Sequence, residues 1–450
     1  MNAIQEITLN KCQQKAFDRL NAWADSPEIT NLTLEGYAGT GKSTVIGEFV
    51  KHRWRNLCVT APTHKAKKVI SRMTGKPSMT IQSLLGLKPN MPDNMLAAFD
   101  GSNLEFVQTS EPLMSQYKIV ILDEASMINS DLYELMIKEG KKNKVKILFV
   151  GDRLQLPPVK EKISKAFTAN EVITLDTIVR QEDGNPILKL LATVRNDILN
   201  GTIEFKELMQ EGDYVNSKGE GYSVVQREVF QTELVKECKQ NLIYPDNARF
   251  TAWSNDNIKG WNTYIRQNII ENYNEDLTEG EILMAYNTVY DNAGNLWFTN
   301  SEEYRVTECE RTKNADGYEG YKIKLRNVET EVTTPSLFVI AKEDEPKFFQ
   351  EFCDRCLMGQ RGQGWGQFYG FKRRNLNMTT MQMGKSRNRI VAEKQFDHAY
   401  GITVHKTQGS TYKYIFINGK NLNKNSNKEE WLKLWYVALS RCSKKAYITL

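Results

Sequence analysis

Gly36-Tyr-Ala-Gly-Thr-Gly-Lys-Ser43 is the stretch that decides the fold of this 450-residue chain. It follows a stretch at residues 29–34 that suits a buried strand, and it opens a segment whose apolar residues recur at helical spacing. Glycines allow such a loop to wrap a phosphate chain with its N–H groups inward, and the next helix adds its N-terminal dipole. We expect Lys42 to reach the β- and γ-phosphates and Ser43 to hold Mg²⁺. A chance glycine-rich turn is the alternative, but the flanking strand and helix favour a nucleoside triphosphate site.

A pair of carboxylates, Asp123 and Glu124, follows a second apolar run at residues 117–122. A carboxylate at the tip of a parallel strand can complete the shell of Mg²⁺, which predicts that role for Asp123. Glu124 is then free to act as a general base on a water that attacks the γ-phosphate. Alternatively, either residue caps the next helix. Together with the phosphate loop, the pair indicates that the triphosphate is hydrolysed.

The composition is that of an ordinary globular protein, with 40% hydrophobic and 26% charged residues. No apolar run approaches the roughly 20 residues of a membrane span, and the first ten residues do not have the pattern of a signal peptide. The seven scattered cysteines favour free thiols in a reducing cytoplasm, the host's if the protein is viral. Cys353 and Cys356 form a lone C-x-x-C, which alone does not favour a zinc or redox site.

The net charge of +5 is unevenly spread along the chain. Residues 355–392 contain eight Lys or Arg and no acidic residue, and they also contain Trp365, Phe368, Tyr369 and Phe371. Basic residues mixed with aromatic ones suit a surface that tracks a nucleic-acid strand. A solvated basic loop beside a small β-domain is nearly as good an interpretation.

The order of the patterns predicts an α/β fold with two α/β domains, the first of which contains the phosphate loop. Strand and helix patterns alternate through residues 1–170, the first domain, in which residues 88–108 break the alternation as a pin-like insertion. We assign residues 171–274 and 396–450 to the second domain. Residues 275–395, rich in short alternating runs, are predicted to form an inserted, SH3-like β-barrel.

Four later segments complete the set of motifs in a fixed order along the chain. They are Gly151-Asp-Arg-Leu-Gln-Leu-Pro-Pro-Val159, Leu175-Asp-Thr-Ile-Val-Arg-Gln181, Thr403-Val-His-Lys-Thr-Gln-Gly-Ser410 and Trp435-Tyr-Val-Ala-Leu-Ser-Arg441. In this order after a phosphate loop and an Asp-Glu pair, they resemble the motifs of superfamily 1 helicases, in the branch that contains RecD and Dda. The resemblance extends from Leu9 to Arg441, interrupted by the two insertions.

The resemblance implies ATP in a cleft between two RecA-like P-loop NTPase domains and 5′-to-3′ movement on single-stranded DNA. It implies that Gln13 reads the adenine, that Gln155 senses the γ-phosphate, and that Arg180 and Arg441 are arginine fingers. With the loop and the Asp-Glu pair, the catalytic residues are Lys42, Asp123, Glu124, Gln155, Arg180 and Arg441, and the metal-binding residues are Ser43 and Asp123. The nucleotide-binding residues are Gln13, Gly36, Ala38, Gly39, Thr40, Gly41, Lys42, Ser43, Thr44, Gly409 and Ser410. The implied DNA-binding residues are Pro62, Thr63, His64, Thr80, Gln82, Thr403, His405 and Lys406.

The insertion at residues 88–108 is our candidate for the element that separates the strands. Pro89 and Pro92 would stiffen it, and apolar residues such as Phe99 would stack on a terminal base pair. The alternative is an exposed loop that docks on the β-insertion.

The predicted activity is therefore ATP-dependent unwinding of DNA, with single-stranded and forked DNA as partners. We expect a monomer, with possible contacts to single-strand-binding or replication proteins. Two other readings stay open: a module that binds single strands without unwinding, and an ATPase that moves on RNA. A small-molecule kinase would have no use for the late motifs.

Overall fold

The computed structural model describes residues 9–28, 30–63, 66–67, 70–71, 74–89, 106–108, 110–158, 161–177, 184–291, 296–384 and 390–450. Within these ranges no helix has both the length and the apolar character needed to cross a membrane.

Residues 9–177 fold around a six-stranded parallel sheet with the order β3-β2-β6-β7-β1-β8. The strands of this part are β1 (Asn31–Gly36), β2 (Leu57–Ala61), β3 (Ser78–Thr80), β4 (Leu87–Pro89), β5 (Phe106–Gln108), β6 (Ile119–Leu122), β7 (Lys146–Gly151) and β8 (Glu171–Leu175). The helices are α1 (Lys11–Asp25), α2 (Lys42–Arg53), α3 (Ile81–Leu84) and α4 (Ser130–Asn143). Every residue of β6 and β7 is buried, because hydrophobic clusters cover both faces of this sheet.

The chain then begins a second α/β unit and leaves it for an insertion. The unit begins with α5 (Pro186–Asn200), β9 (Gly212–Val215), β10 (Gly221–Val224), α6 (Arg227–Lys239), β11 (Ala248–Ala252) and α7 (Asn255–Ile269). The insertion contains β12 (Ile282–Ala285), β13 (Val289–Tyr290), β14 (Leu296–Phe298), β15 (Glu303–Lys313), β16 (Glu319–Asn327), β17 (Leu337–Ile340), α8 (Glu345–Gln360), α9 (Trp365–Arg374), β18 (Met381–Met383), β19 (Ile390–Ala392) and β20 (Phe396–His398).

The last part of the chain completes the second unit. It consists of β21 (Gly401–Thr403), β22 (Tyr412–Asn418), α10 (Gly419–Leu422), α11 (Lys428–Ser440) and β23 (Cys442–Thr449). The second sheet has the order β21-β11-β22-β23-β10-β9 and is parallel except for the antiparallel pair of β9 and β10. The predicted α/β class is confirmed, with two parallel sheets of the RecA type.

Two of the predicted domain boundaries need correction by a few residues. The predicted second domain begins at residue 171, but β8 pairs along its whole length with β1 and so belongs to the first sheet. The predicted insertion ends at residue 395, but β20 pairs with β12 and so belongs to the insertion. In both places a short strand pairs with a strand that is distant in the sequence, and the local composition does not show which sheet the short strand joins.

The insertion is built on a five-stranded antiparallel sheet with the order β17-β16-β15-β12-β20. Among the described strands, β17 and β20 form its two edges and do not pair with each other, so closure into an SH3-like barrel stays a prediction. The helices α8 and α9 pack against this unit and were not expected from the alternating patterns of the sequence.

Two of the four aromatic residues of the basic segment 355–392 are buried in the hydrophobic core of the insertion. Phe368 and Phe371 of α9 are fully buried and pack with Phe348 and Phe352 of α8. The guanidinium of Arg355 lies over the Phe371 ring at 4.5 Å from its centroid. A base-stacking role is therefore wrong for these two aromatic residues, because their rings form the core that holds the helices together.

A buried ion pair joins the insertion to the second sheet. The Nη2 atom of Arg249 on β11 lies 2.8 Å from the Oε2 atom of Glu303 on β15, and the two side chains are 1% and 4% exposed. Burial alone would lower the pKa of Arg249, but the charge of Glu303 raises it above its usual range. A second buried pair, between Arg266 of α7 and Glu281 at the edge of the insertion, has a length of 2.9 Å.

We expect Glu303→Ala to lower the free energy of unfolding by about 3–5 kcal/mol, because it leaves the Arg249 charge buried without its partner. Glu308→Ala is the matched control on the same strand. Its partner Lys324 and Glu308 itself are 40% and 62% exposed, and such surface pairs contribute about 1 kcal/mol or less. Urea unfolding followed by circular dichroism measures both variants. Equal losses in the two would contradict the stabilising role of the buried pair.

Candidate functional site

The phosphate loop joins the carboxyl end of β1 to the N-terminus of α2. Gly39 and Gly41 have φ values of 86° and 77°, which L side chains rarely adopt. A Cβ atom on Gly41 would also lie 2.2 Å from Nε2 of Gln13, so a larger residue there would displace the Gln13 side chain from the loop. The ammonium of Lys42 donates to the carbonyl oxygens of Gly36 and Tyr37 at 2.6 and 3.3 Å, which holds it inside the loop.

Gln13 contacts this loop, and both polar atoms of its side-chain amide have hydrogen-bond partners within the protein. Its Nε2 donates to the carbonyl oxygen of Thr40 at 3.1 Å, and its Oε1 accepts from the N–H of Asn10 at 3.0 Å. The Asn10 side chain in turn accepts from the N–H of Gln13, which completes a capping box at the start of α1. Gln13 thus connects α1 to the phosphate loop in this structure, and contact with adenine stays a prediction.

The Asp-Glu pair follows β6, two strands away from β1 in the sheet order. Burial raises the pKa of Asp123 well above its usual range, and the charge of Glu124 adds to this, while Lys42 opposes it. Glu124 has the left-handed backbone angles φ 53° and ψ 42°. A non-glycine residue in this region costs about 1–2 kcal/mol, and strain of this kind concentrates at functional sites. The strained turn brings a carboxylate to the edge of the sheet where the phosphate loop lies.

Asp152 follows β7, the strand between β6 and β1, and organises the turn that contains Gln155. Its Oδ1 accepts from the N–H of Leu154 at 3.0 Å, and its carbonyl oxygen accepts from the N–H of Gln155 at 3.2 Å. Asp152 is 1% exposed, and burial raises the pKa of its carboxyl, whereas the charge of Lys42 lowers it.

Tyr436 of α11 reaches this turn and the phosphate loop together, from the second unit. Its hydroxyl donates to Oδ2 of Asp152 at 2.7 Å and accepts from the N–H of Ala38 at 2.9 Å. Burial raises the pKa of Tyr436, and the nearby Asp152 adds to this effect. Gln408 makes a second bridge between the units, since its Nε2 donates to the carbonyl oxygen of Leu156 at 3.1 Å.

The residues around the loop fit a nucleotide with a divalent cation. Among the described residues, Oε1 of Gln155 and Oγ of Ser126 are buried side-chain oxygens without a hydrogen-bond partner. Buried polar groups rarely stay unpaired, so these two atoms call for a polar ligand or water. Ser43 and Asp123 offer the hydroxyl and carboxylate oxygens that Mg²⁺ prefers.

Arg441 ends α11 and is held against the second unit. It is 7% exposed, its Nη2 donates to Oγ of Ser440 at 2.9 Å, and its Nη1 lies 3.5 Å from the carbonyl oxygen of Ser410. Gly409 lies at the contact between the two units, because a Cβ atom there would be 3.3 Å from Ala66. Arg180 lies outside the described residues.

The predicted DNA-binding residues of the first unit follow its two outer strands, β2 and β3. Pro62 and Thr63 come directly after β2, and Oγ1 of Thr63 accepts from the N–H of Ala66 at 3.2 Å. Thr80 is buried and caps α3, since its hydroxyl accepts from the N–H of Ser83 at 3.2 Å. Gln82 is half-buried on that helix. DNA contacts for these residues stay predictions, and His64 and Phe99 lie outside the described residues.

The predicted DNA-binding residues of the second unit lie at the end of β21, its edge strand, and directly after it. Thr403 is buried, and Nε2 of His405 lies 3.8 Å from Oε1 of Glu430. The ammonium of Lys406 lies 3.4 Å from the centroid of the Tyr286 ring, and that of Lys394 lies 4.1 Å from the same ring. Burial lowers the pKa of Lys406 to about 7, and the charge of Lys394 adds to this. A nearby phosphate would favour the charged form of this lysine.

The structure therefore brings most of the predicted nucleotide residues to one edge of the first sheet. Three further residues lie at this site although no role was predicted for them from the sequence: Asp152, Tyr436 and Gln408. All three lie inside motifs already recognised, but contacts between residues as far apart as 152 and 436 have no signal in a single sequence.

Comparison with known proteins agrees with this arrangement. Residues 8–215 match the AAA domain family, and residues 398–449 match the UvrD-like helicase C-terminal domain. The ATP-dependent DNA helicase dda of Enterobacteria phage T4 is 24% identical over 298 residues, which are 63% of this chain and 64% of that protein. An uncharacterised protein of Acanthamoeba polyphaga mimivirus is 23% identical over 505 residues, with 97% of this chain and 98% of that protein covered.

A solved structure supports the fold over nearly the whole chain. The Pif1 helicase from Bacteroides in complex with ADP-AlF3 and single-stranded DNA superposes with a TM-score of 0.50 at 18% identity. This similarity covers 98% of this chain and 92% of that one. With the two RecA-type sheets and the ordered motifs, the two family matches and the Dda and RecD2 relatives lead to one conclusion: the chain belongs to the superfamily 1 DNA helicases, in the branch that contains Dda and RecD.

Proposed function

We propose that this helicase hydrolyses ATP with Mg²⁺ in the cleft between its two RecA-like units and moves 5′-to-3′ along single-stranded DNA, unwinding forked duplexes. One observation carries the proposal. The carboxyl ends of the neighbouring strands β6, β7 and β1 bring Glu124, Gln155 and Lys42 to one edge, and α11 of the other unit contacts that edge through Tyr436. Ligand sites of open α/β sheets lie at such edges.

The roles of the residues in hydrolysis follow from their chemistry. Lys42 binds the β- and γ-phosphates, and the N–H groups of residues 39–44 surround them. Ser43 and Asp123 would hold Mg²⁺, which neutralises phosphate charge when bound. Glu124 takes the proton of the attacking water, and Gln155 orients that water, which can donate a hydrogen bond to its unpaired Oε1. Arg441 stabilises the charge that develops on the transferred phosphoryl group.

The proposed DNA track runs across the outer strands of both sheets. Thr63 follows β2 and Thr403 ends β21, and the contact of Gly409 with Ala66 and Thr63 joins these two edges. Gly409 and Ser410 therefore lie between the DNA residues His405 and Lys406 and the guanidinium of Arg441. Closure of the cleft on ATP would then change the spacing of the two DNA-binding edges, which supports stepwise movement.

Stimulation of ATP hydrolysis by nucleic acid tests this proposal and its rivals. We expect single-stranded DNA to raise kcat by at least tenfold, with half-maximal stimulation at lower concentrations of DNA than of RNA of the same sequence. A module that only binds strands would show affinity without turnover. Stronger stimulation by RNA would favour the ATPase that moves on RNA.

The pin-like insertion gives a separate prediction about unwinding. β4 and β5 pair as the base of an antiparallel hairpin, and the residues between them, including Phe99, lie outside the described ranges. We expect replacement of residues 90–105 by a short glycine turn to reduce strand separation at least tenfold and to spare DNA-stimulated ATPase. Opening a base pair costs about 1.4 kcal/mol in stacking, so the motor needs an element that prevents the strands from closing. If unwinding persists, the separating element lies elsewhere; if both activities fail, the hairpin is structural.

A further inference from the structure

Tyr436 links the second unit directly to the nucleotide site of the first. Its side chain crosses from α11 of the second unit to the first unit and makes two hydrogen bonds there, to Asp152 at 2.7 Å and to Ala38 at 2.9 Å. The residue is 1% exposed, so neither bond competes with bulk water. Buried hydrogen bonds of this kind fix geometry, because losing one leaves a buried partner unpaired.

Each of the two partners belongs to a segment of the nucleotide site. Ala38 is inside the phosphate loop, four residues before Lys42. Asp152 holds the turn of Gln155 through Leu154 and through its own carbonyl oxygen. A single hydroxyl therefore connects the loop that binds the phosphates with the turn proposed to sense the γ-phosphate.

The same helix carries the proposed arginine finger. Arg441 follows Tyr436 by five residues, which is about 7 Å along a helix axis. From Trp431 to Leu439 every residue of α11 is buried, so the helix moves as part of the second unit. The contact at Tyr436 consequently sets how far the end of α11, and with it Arg441, lies from the phosphate loop.

We propose that Tyr436 is a positioning residue that holds α11 in register with the phosphate loop and the Gln155 turn, so that Arg441 can reach the phosphoryl group. This inference rests on the proposed ATP hydrolysis and on the finger role of Arg441. It predicts that the hydroxyl of Tyr436 affects the chemical step more than the binding of ATP.

Steady-state ATPase measurements with saturating single-stranded DNA test this inference. We expect Tyr436→Phe to lower kcat about tenfold or more and to change the KM for ATP by less than about threefold. Asp152→Asn, which keeps the shape but weakens the acceptor, should give a smaller loss of the same kind. Tyr222→Phe is the matched control: Tyr222 is also buried in the second unit, and its hydroxyl donates only to the carbonyl oxygen of Leu208 in the described contacts, at 2.8 Å.

A double-mutant cycle separates positioning from a general structural effect. If Tyr436 acts through Arg441, then adding Tyr436→Phe to Arg441→Ala should change kcat by less than twofold. If the losses of kcat caused by the two substitutions multiply in the double variant, or if Tyr436→Phe keeps the wild-type kcat, the inference is wrong. If Tyr436→Phe does not fold but Asp152→Asn does, the change in kcat caused by Asp152→Asn in the Arg441→Ala background gives the same test. Failure of the proposed function itself would appear earlier, as a wild-type protein without DNA-stimulated ATPase.

Discussion

Arg441→Ala should lower the kcat of DNA-stimulated ATP hydrolysis by about 10³ to 10⁵, the range found for arginine fingers in P-loop enzymes. The loss should fall mostly on kcat, because the negative charge that a finger meets develops in the transition state and not in bound ATP. Arg441 suits this role because this residue, only 7% exposed, ends the helix that contacts the phosphate loop. It has no carboxylate partner among the described ion pairs, so its charge is available to the nucleotide.

Arg227→Ala is the control for this prediction. Arg227 is an exposed arginine at the start of α6 in the same unit, and its removal should leave kcat within twofold of the wild type. A loss below about tenfold in Arg441→Ala would show that Arg441 is a structural residue of the helix end. The finger role would then pass to Arg180, whose variant Arg180→Ala should show the large loss.

Lys42→Ala should abolish measurable ATP hydrolysis and leave the affinity for single-stranded DNA in the absence of nucleotide within about threefold. Lys42 is the cation of the phosphate loop, and its ammonium lies on the carbonyl oxygens of Gly36 and Tyr37, inside the loop. The predicted DNA contacts follow other strands, β2, β3 and β21, so they should be unaffected. Phosphate release measures the first effect, and fluorescence anisotropy of a labelled oligonucleotide measures the second.

Lys51→Ala on the same helix serves as the control, because Lys51 is 44% exposed and pairs only with Glu48 among its described contacts. It should keep near wild-type activity. Hydrolysis at a wild-type rate in Lys42→Ala would reject the phosphate-loop assignment. Loss of both hydrolysis and DNA binding would mean that the substitution unfolds the first unit.

The sequence was most informative where local pattern and tertiary structure agree. The strand, loop and helix around residues 36–43 need no distant partner to be recognised, and the structure confirms β1 and α2 there. The apolar residues of β22 and of α11 follow a strand period and a helix period in the same local way. In each case a run of apolar residues at a fixed period is bounded by glycine or polar residues.

The internal packing of the insertion could not be predicted from local sequence patterns. Its basic and aromatic segment suggested a surface, but α9 turns Phe368 and Phe371 into the core, while Lys372 and Arg373 are half-buried and Arg374 is exposed. Composition alone cannot distinguish these cases, because an amphipathic helix and a strand-tracking loop use the same residue types. Pairings such as those of β8 and β20 depend on partners more than 100 residues away along the chain, and no local pattern encodes them.

At the candidate site, residue types were easier to predict than contacts. Lys42, Asp123, Glu124 and Gln155 follow adjacent strands, as the motif order implied. The engagement of Gln13 in a capping box and of Thr80 in a helix cap could not be foreseen, since the same side chains can bind ligands or backbone. The bridge from Tyr436 to Asp152 and Ala38 depends on how two units pack, and it emerged only from the structure.

Strand separation on partial duplexes with a single-stranded tail tests the central claim most directly. The protein, ATP and Mg²⁺ would be added to duplexes that carry either a 5′ or a 3′ tail, with a trap for the released strand. We predict ATP-dependent unwinding of the 5′-tailed substrate and little unwinding of the 3′-tailed one, and Lys42→Ala should unwind neither. Preference for the 3′ tail would contradict the proposed direction. Absence of unwinding on both substrates, in a protein with full DNA-stimulated ATPase, would contradict the helicase function itself.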